Sequence, residues 1–201
     1  EFFDALPVNQ YIYKNNSWYE RKIVLRNNDL VFQLANKPTT QKLFFPEIAE
    51  NGAIFEYSEY SNFIISNICK VIKKYNGALL IIDYAKKTND TNGTLTAIYK
   101  HKHVSPFYMP GQTDLSVRPD FDLIKKIAML EKCEVFGPIN QGFFLETLGI
   151  NERIERLAKK NPTLKDILFS QRDRLTKKDY VVEKFKVHII TQKKLEGFLN
   201  D

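Results

Sequence analysis

The chain has 201 residues, 43% hydrophobic and 27% charged, and a net charge of +6. These values match ordinary globular domains and argue against a disordered chain or a membrane-embedded one. Its longest apolar run, Ala78–Ile82, is far shorter than the roughly 20 residues that span a bilayer.

The charge is uneven. Residues 1–150 carry 17 Lys+Arg against 16 Asp+Glu, and residues 151–201 carry 13 against 8. Acids are interleaved with the bases of that last quarter, which points to a solvated helical face rather than a nucleic-acid footprint. Cys69 and Cys133 lie far apart in apolar surroundings, a pattern of buried free thiols in a reducing compartment. No secretory signal pattern opens the chain.

The first stretch, EFFDALPV, sets Glu1 and Asp4 among core-forming residues. Residues 17–35 read as a hairpin, two strand-like runs around Asn27, Asn28 and Asp29. A loop-like stretch with Pro38 and Pro46 follows. In SEYSNFIISNICKVIKKYNG, Ile64, Ile65, Ile68, Val71, Ile72 and Tyr75 share a helical face, Ser58 or Ser61 is the cap, and Asn76-Gly77 is the stop. ALLIID then reads as a strand buried on both faces of a parallel sheet.

DFDLIKKIAMLEK predicts a second helix capped by Asp120, and CEVFGPI the next strand. Together they form a βαβ unit with a right-handed crossover. Residues 151–176 read as a helical segment broken at Asn161-Pro162. In EKFKVHIIT, Phe185, Val187 and Ile189 alternate with polar residues, which predicts a half-solvated antiparallel or edge strand. The expected fold class is α/β, an open and mostly parallel sheet with an antiparallel strand near the end and a hairpin insertion near the start.

In such sheets ligands bind beyond the carboxyl ends of the strands. Asp83 and Tyr84 hold that place for ALLIID, and Glu1 and Asp4 would do so if a strand ran directly into EFFDALP. A carboxylate there can orient a ligand, accept a proton, pair with a cation or simply cap the next loop. His101 and His103 would share a face if HKH is extended, but no third ligand accompanies them and no metal site is expected. No base pairs with either cysteine in sequence, and no phosphate-binding glycine motif is present. PGQTDLSVRPDF, with Asp114, Arg118 and Asp120, reads as a polar loop in which Asp114 satisfies backbone donors. Gln141-Gly142 reads as a turn at a strand end.

Taken in order, EFFDALPV, WYER, Glu56 before a helix, GALLIIDY, GTLTAIYKHKHVSP, PGQTDLSVRPDF, QGFFLETLGI with ERIERL, and the final RL and KFKV resemble the MidA-like family of S-adenosylmethionine-dependent methyltransferases. That family includes a mitochondrial complex I assembly factor acting as a protein arginine methyltransferase. The resemblance covers nearly the whole chain. The chain departs from the family pattern at Ala85, where glycine is usual, at Arg118 and Pro119 in place of a histidine and an apolar residue, and around Val182 and Glu183.

The resemblance implies that residues 1–201 form a single partial domain, the distal half of a Rossmann-like class I methyltransferase domain whose glycine-rich cofactor half precedes EFFDALP. It implies S-adenosylmethionine as the cofactor of the intact domain, with an incomplete site here. It further implies a protein substrate, with a respiratory complex I subunit among the candidates, and no membrane span. The location is the mitochondrial matrix in a eukaryote or the cytoplasm in a bacterium.

Glu1 and Asp4 are then expected to position the substrate, with Asp83 and Tyr84 next, and Glu56, Asp114 and Gln141 around them. The hairpin with Trp18 and the basic helical region are expected to shape partner recognition. The competing expectation is a catalytically inactive fragment or assembly module, self-associating through an uncovered sheet.

Overall fold

The computed structural model describes residues 1–40, 44–47, 49–86, 91–177 and 184–193. In chain order the elements are β1 (Asn9–Lys14), β2 (Ser17–Arg26), β3 (Asp29–Leu34), β4 (Ile54–Tyr57), α1 (Glu59–Tyr75), β5 (Ala78–Tyr84), β6 (Thr96–Tyr99), β7 (Lys102–His103) and β8 (Asp114–Ser116). They continue with α2 (Phe121–Leu130), β9 (Glu134–Asn140), α3 (Gln141–Thr147), α4 (Ile150–Lys160), α5 (Lys165–Thr176) and β10 (Phe185–Thr191). These fall into two units, one made of Glu1, Ile65–Ala85 and Asp120 onward, the other of Phe2–Ile64 and Lys86–Pro119.

The second unit is built on an antiparallel sheet in the order β3-β2-β1-β4. Its two tight turns use Asn15-Asn16 and Asn27-Asn28, all at positive φ, which asparagine tolerates and which a two-residue hairpin needs. An aromatic core covers one face: Phe45 lies 4.7 Å from Tyr11, 4.6 Å from Phe55 and 5.8 Å from Trp18 by ring centroids. Trp18, expected at a recognition surface, is only 7% exposed and donates its indole N–H to Pro46 O at 3.1 Å. A bulky ring flanked by three others serves the core, and the exposed apolar residues of the hairpin are instead Ile23, Leu25 and Leu30.

A smaller antiparallel sheet, β7-β6-β8, completes this unit. Lys100 and His101 form its left-handed turn, so HKH is not an extended run and His101 does not share a strand face with His103.

Helix α1 is capped by Ser58, whose Oγ accepts from Ser61 N at 3.1 Å, and its residues from Ile65 on belong to the first unit. The helix buries Ile65, Cys69 and Ile72, whereas Val71 and Tyr75 are exposed, so the buried stripe is rotated from the expected one. Glu131, just past α2, accepts from Ser66 Oγ and, through its carbonyl, from Lys73 Nζ at 2.6 Å. Asp120 caps α2 by accepting from Leu123 N at 2.9 Å.

The sheet of this unit runs β5-β10-β9, and both pairings are antiparallel. The expectation of a mostly parallel sheet is therefore corrected: every described strand pair is antiparallel. β5 and β9 do run in the same direction, as a βαβ unit requires, but β10 is inserted between them. β5 is not buried on both faces either, since Leu80 is 49% exposed. β10, expected to be half-solvated, is buried from Val187 through Thr191, because it is flanked on both edges and packed on Phe144 and its neighbours.

Within that buried stretch His188 is fully buried, with neither ring nitrogen hydrogen-bonded among the described residues. Its ring meets Phe121 edge to face at 4.7 Å. Burial, helped by the charge of Lys125, lowers its pKa to about 4. The unfolded imidazole takes up its proton near pH 6.5, so the unfolded state binds more protons as pH falls from there. The stability held above that pH is then lost toward pH 4, by about 3 kcal/mol. Urea unfolding of wild type and His188→Leu at pH 7 and pH 4 should show the wild type losing that much more than the variant; parallel losses would contradict it.

Gly142, in the first turn of α3, is the point where the end of α5 approaches. A Cβ there would lie 2.5 Å from Thr176 O and 3.0 Å from Thr176 Cα. Gly142→Ala should cost about 1–3 kcal/mol of stability in the same assay, because a backbone segment must move to admit the methyl group.

Candidate functional site

The predicted residues divide between the two units, and each set is organised by backbone pairing. In the first unit, Glu1 lies beside the edge of β5, its nitrogen donating to Ile82 O at 2.8 Å, and its side chain is exposed. Asp83 follows on β5 and is fully buried; its Oδ1 accepts from Tyr84 N at 2.7 Å. The Tyr84 ring packs on Phe185 at 4.1 Å.

Register carries Asp83 further. It stands opposite Lys186 of β10, which stands opposite Asn140 of β9, and Lys186 Nζ donates to Asn140 Oδ1. Directly opposed residues in an antiparallel sheet project to the same face, so a carboxylate, an ammonium and an amide form one row at the carboxyl ends of β5 and β9. Lys186 was missed from sequence because a lysine alternating with apolar residues reads as a solvated position. Gln141 directly follows that row, but it opens helix α3 rather than a turn, and its Nε2 points to Leu175 O at 3.4 Å.

In the second unit, Phe3–Ala5 form one 3-10 turn with Phe3 buried. The carbonyl of Asp4 accepts from Val117 N at 2.9 Å. Asp114 is exposed and lies on β8, paired with Ile98; PGQTDLSVRPDF is therefore a loop that becomes a short strand.

Glu56, at 6% exposure, is more elaborately held than its place before a helix implied. Its carboxylate accepts from Gln10 Nε2 at 2.9 Å, Thr94 Oγ1 at 2.7 Å, Thr94 N at 2.9 Å and Leu95 N at 3.1 Å. Arg21 donates to Gln10 Oε1 at 3.1 Å and lies 3.6 Å over the Phe32 ring. Burial lowers the Arg21 pKa, with Glu56 opposing the shift. Gln10 gave no sequence signal, and Arg21 and Thr94 stood within WYER and GTLTAIYKHKHVSP without a role assigned to either.

Other chemistry is disfavoured on the same grounds. Cys69 and Cys133 are buried and free; burial and the neighbouring Cys133 raise Cys69 to about 12, so it is a protonated thiol at neutral pH and a poor nucleophile. Helices α3, α4 and α5 enclose a groove of about 890 Å³ lined by leucines and isoleucines with Arg153, Arg156 and Arg172. No described helix is long and apolar enough to cross a membrane. The replaced positions around Val182 and Glu183 lie outside the described residues.

Comparison with known proteins gives these residues a setting. The profile of a family described as "Putative S-adenosyl-L-methionine-dependent methyltransferase" matches residues 1–139. The mitochondrial protein arginine methyltransferase NDUFAF7 is 28% identical over 189 residues in Danio rerio, covering 92% of this chain and 44% of that protein. The Mus musculus protein is 30% identical over 190 residues, covering 92% and 43%.

A crystal structure from Burkholderia thailandensis bound to S-adenosyl-homocysteine superposes with a TM-score of 0.82 at 21% identity, covering 95% of this chain and 51% of that one. The mixed α/β fold is thus shared, and the chain spans somewhat under half the length of the curated relatives it matches. With more than half of its residues matched by the family profile, the chain belongs to this S-adenosylmethionine-dependent methyltransferase family.

Proposed function

We propose that the chain serves methyl transfer from S-adenosylmethionine to protein arginine, as the distal part of a methyltransferase domain. The observation that carries the reading is the family match over residues 1–139, which takes in both the EFFD turn and the end of β5. Support for protein arginine as substrate comes from the relatives, each a protein arginine methyltransferase by name. Nothing in the comparisons favours the inactive alternative. The relatives are mitochondrial by name, which favours the mitochondrial matrix for a eukaryotic source, and a complex I subunit is carried forward as one candidate substrate.

Phe2 is 54% exposed and meets Phe3 edge to face at 5.2 Å; an aromatic ring is compatible with the positive sulfonium of the cofactor, which it attracts by cation–π interaction. When bound, the cofactor supplies the electrophilic methyl group. The chain's own task is positioning, because an in-line displacement depends on holding nucleophile and methyl on one axis.

A guanidinium nitrogen forms the new bond to carbon as the sulfur–carbon bond breaks, and the nitrogen must shed a proton. Glu1 and Asp4 are each of a type suited to these demands, since a carboxylate can accept from the planar donor fork or take up the proton released. Asp83 is buried, so its part is to fix the backbone at the end of β5 beside Tyr84. The apolar groove of α3–α5, with its arginines, and the exposed hairpin residues are the surfaces offered to a protein partner.

Methyl transfer to an arginine-containing protein should be measured with the complete domain, by mass spectrometry of the acceptor. Asp4→Ala should lower kcat by about a hundredfold or more, the usual scale for loss of a proton acceptor, with unfolding midpoints unchanged. Asp83→Ala should lower kcat and stability together. Turnover at the wild-type rate in both variants would remove these carboxylates from the reaction.

A further inference from the structure

Glu56 spends a buried carboxylate on four donor groups, three of them from Thr94 and Leu95. A carboxylate offers only acceptors, so it can meet this convergence; a glutamine would turn an N–H toward an N–H or O–H. Thr94 gives its hydroxyl proton to Glu56, which leaves an oxygen lone pair to accept from Arg118 N at 2.9 Å. The adjacent amide, Val117 N, donates to the carbonyl of Asp4 at 2.9 Å. Two successive backbone N–H groups therefore tie the Glu56–Thr94 pair to the turn that carries Asp4, all within one unit.

We propose that Glu56 is a positioning residue for Asp4, acting through the Thr94 hydroxyl and the Val117–Arg118 backbone. The inference rests on the methyl-transfer reading for the role of Asp4, but not for the tether itself. Gln10 and Arg21 extend the same network on the far side of Glu56 and hold its carboxylate in one orientation. The 117–118 backbone is the one link between this buried acid and the Asp4 turn that these bonds describe, so it is where the coupling should be read.

The test compares Glu56→Gln, Thr94→Val and Thr94→Ser in the full chain. Amide hydrogen exchange at Val117 and Arg118 should quicken about tenfold in Glu56→Gln and Thr94→Val, the scale of one lost hydrogen bond. It should stay at the wild-type rate in Thr94→Ser, and the amides of β10 should be unaffected throughout. Should Glu56→Gln fail to fold, Thr94→Val decides alone; unchanged exchange at Val117 and Arg118 in that variant overturns the proposal.

In the complete domain, Thr94→Val should lower kcat about ten- to a hundredfold, as a misplaced group does, with KM for the acceptor protein unchanged and activity restored in Thr94→Ser. An unchanged kcat also overturns the proposal. If the wild type transfers no methyl group, the methyl-transfer reading fails, while the exchange measurement still judges the tether.

Discussion

Strand β10 returns between β5 and β9 and opposes both. A strand hydrogen-bonded on two edges has no free backbone of its own to satisfy, so its side chains can be buried without exposing unpaired polar groups. Val187 through Thr191 are buried accordingly. The same insertion puts the carboxyl ends of β5 and β9 at one end of the sheet, with Lys186 between them. Without β10, Asp83 and Asn140 would have no common register. The polar row at the strand ends is thus a product of the sheet order and not of any local motif.

That insertion carries an irregularity with a visible cause. The β9–β10 register shifts between Val187 and Ile189, at the position of His188. The facing residue is Gly137 at positive φ, where a Cβ would lie 2.9 Å from the imidazole Cδ2. A bulge redirects a side chain, and a glycine opposite makes room for it. The cost falls on protonation: with no partner among the described residues and Lys125 nearby, the ring is held neutral. The core of this unit is therefore stable as long as one proton stays off, a dependence on acidity built into packing rather than into surface charge.

Much of this was legible, and the failures share a physical origin. Capping was legible because it is local: Ser58 and Asp120 each satisfy an amide three residues on. Turns were legible for the same reason, with Asn27 and Asn28 in the left-handed region. Strand direction was not, since ALLIID reads as an apolar run whether its neighbour is parallel or antiparallel, and only the distant return of Phe185–Thr191 decides.

The alternation in EKFKVHIIT misled because a buried histidine and a register shift both break the period-two pattern. QGFFLET is a helix although its glycine suggested a turn, because the value of Gly142 lies in the approach of Thr176 from 34 residues away. For the candidate site, the acids could be named from sequence, but their partners could not. Thr94 and Arg118 are 38 and 62 residues from Glu56, and no spacing rule connects them.

Burial separates the acids by what each can do. Desolvating a carboxylate is costly unless donors surround it, so a buried one is committed to the groups that hold it. Glu56 and Asp83 are in that state, one facing four donor groups and the other bonded to Tyr84 N and set opposite Lys186. Binding a guanidinium requires lone pairs and space that such acids have already given up.

Glu1 is exposed and Asp4 half-buried, so both are more accessible than the two buried acids. On the proposed function, recognition and proton acceptance then belong to the EFFD segment, and fixing the backbone belongs to the buried pair. On the same proposal, Glu56 is a carboxylate because holding Thr94 and Leu95, and through Thr94 the backbone beside the Asp4 turn, takes a full set of acceptors.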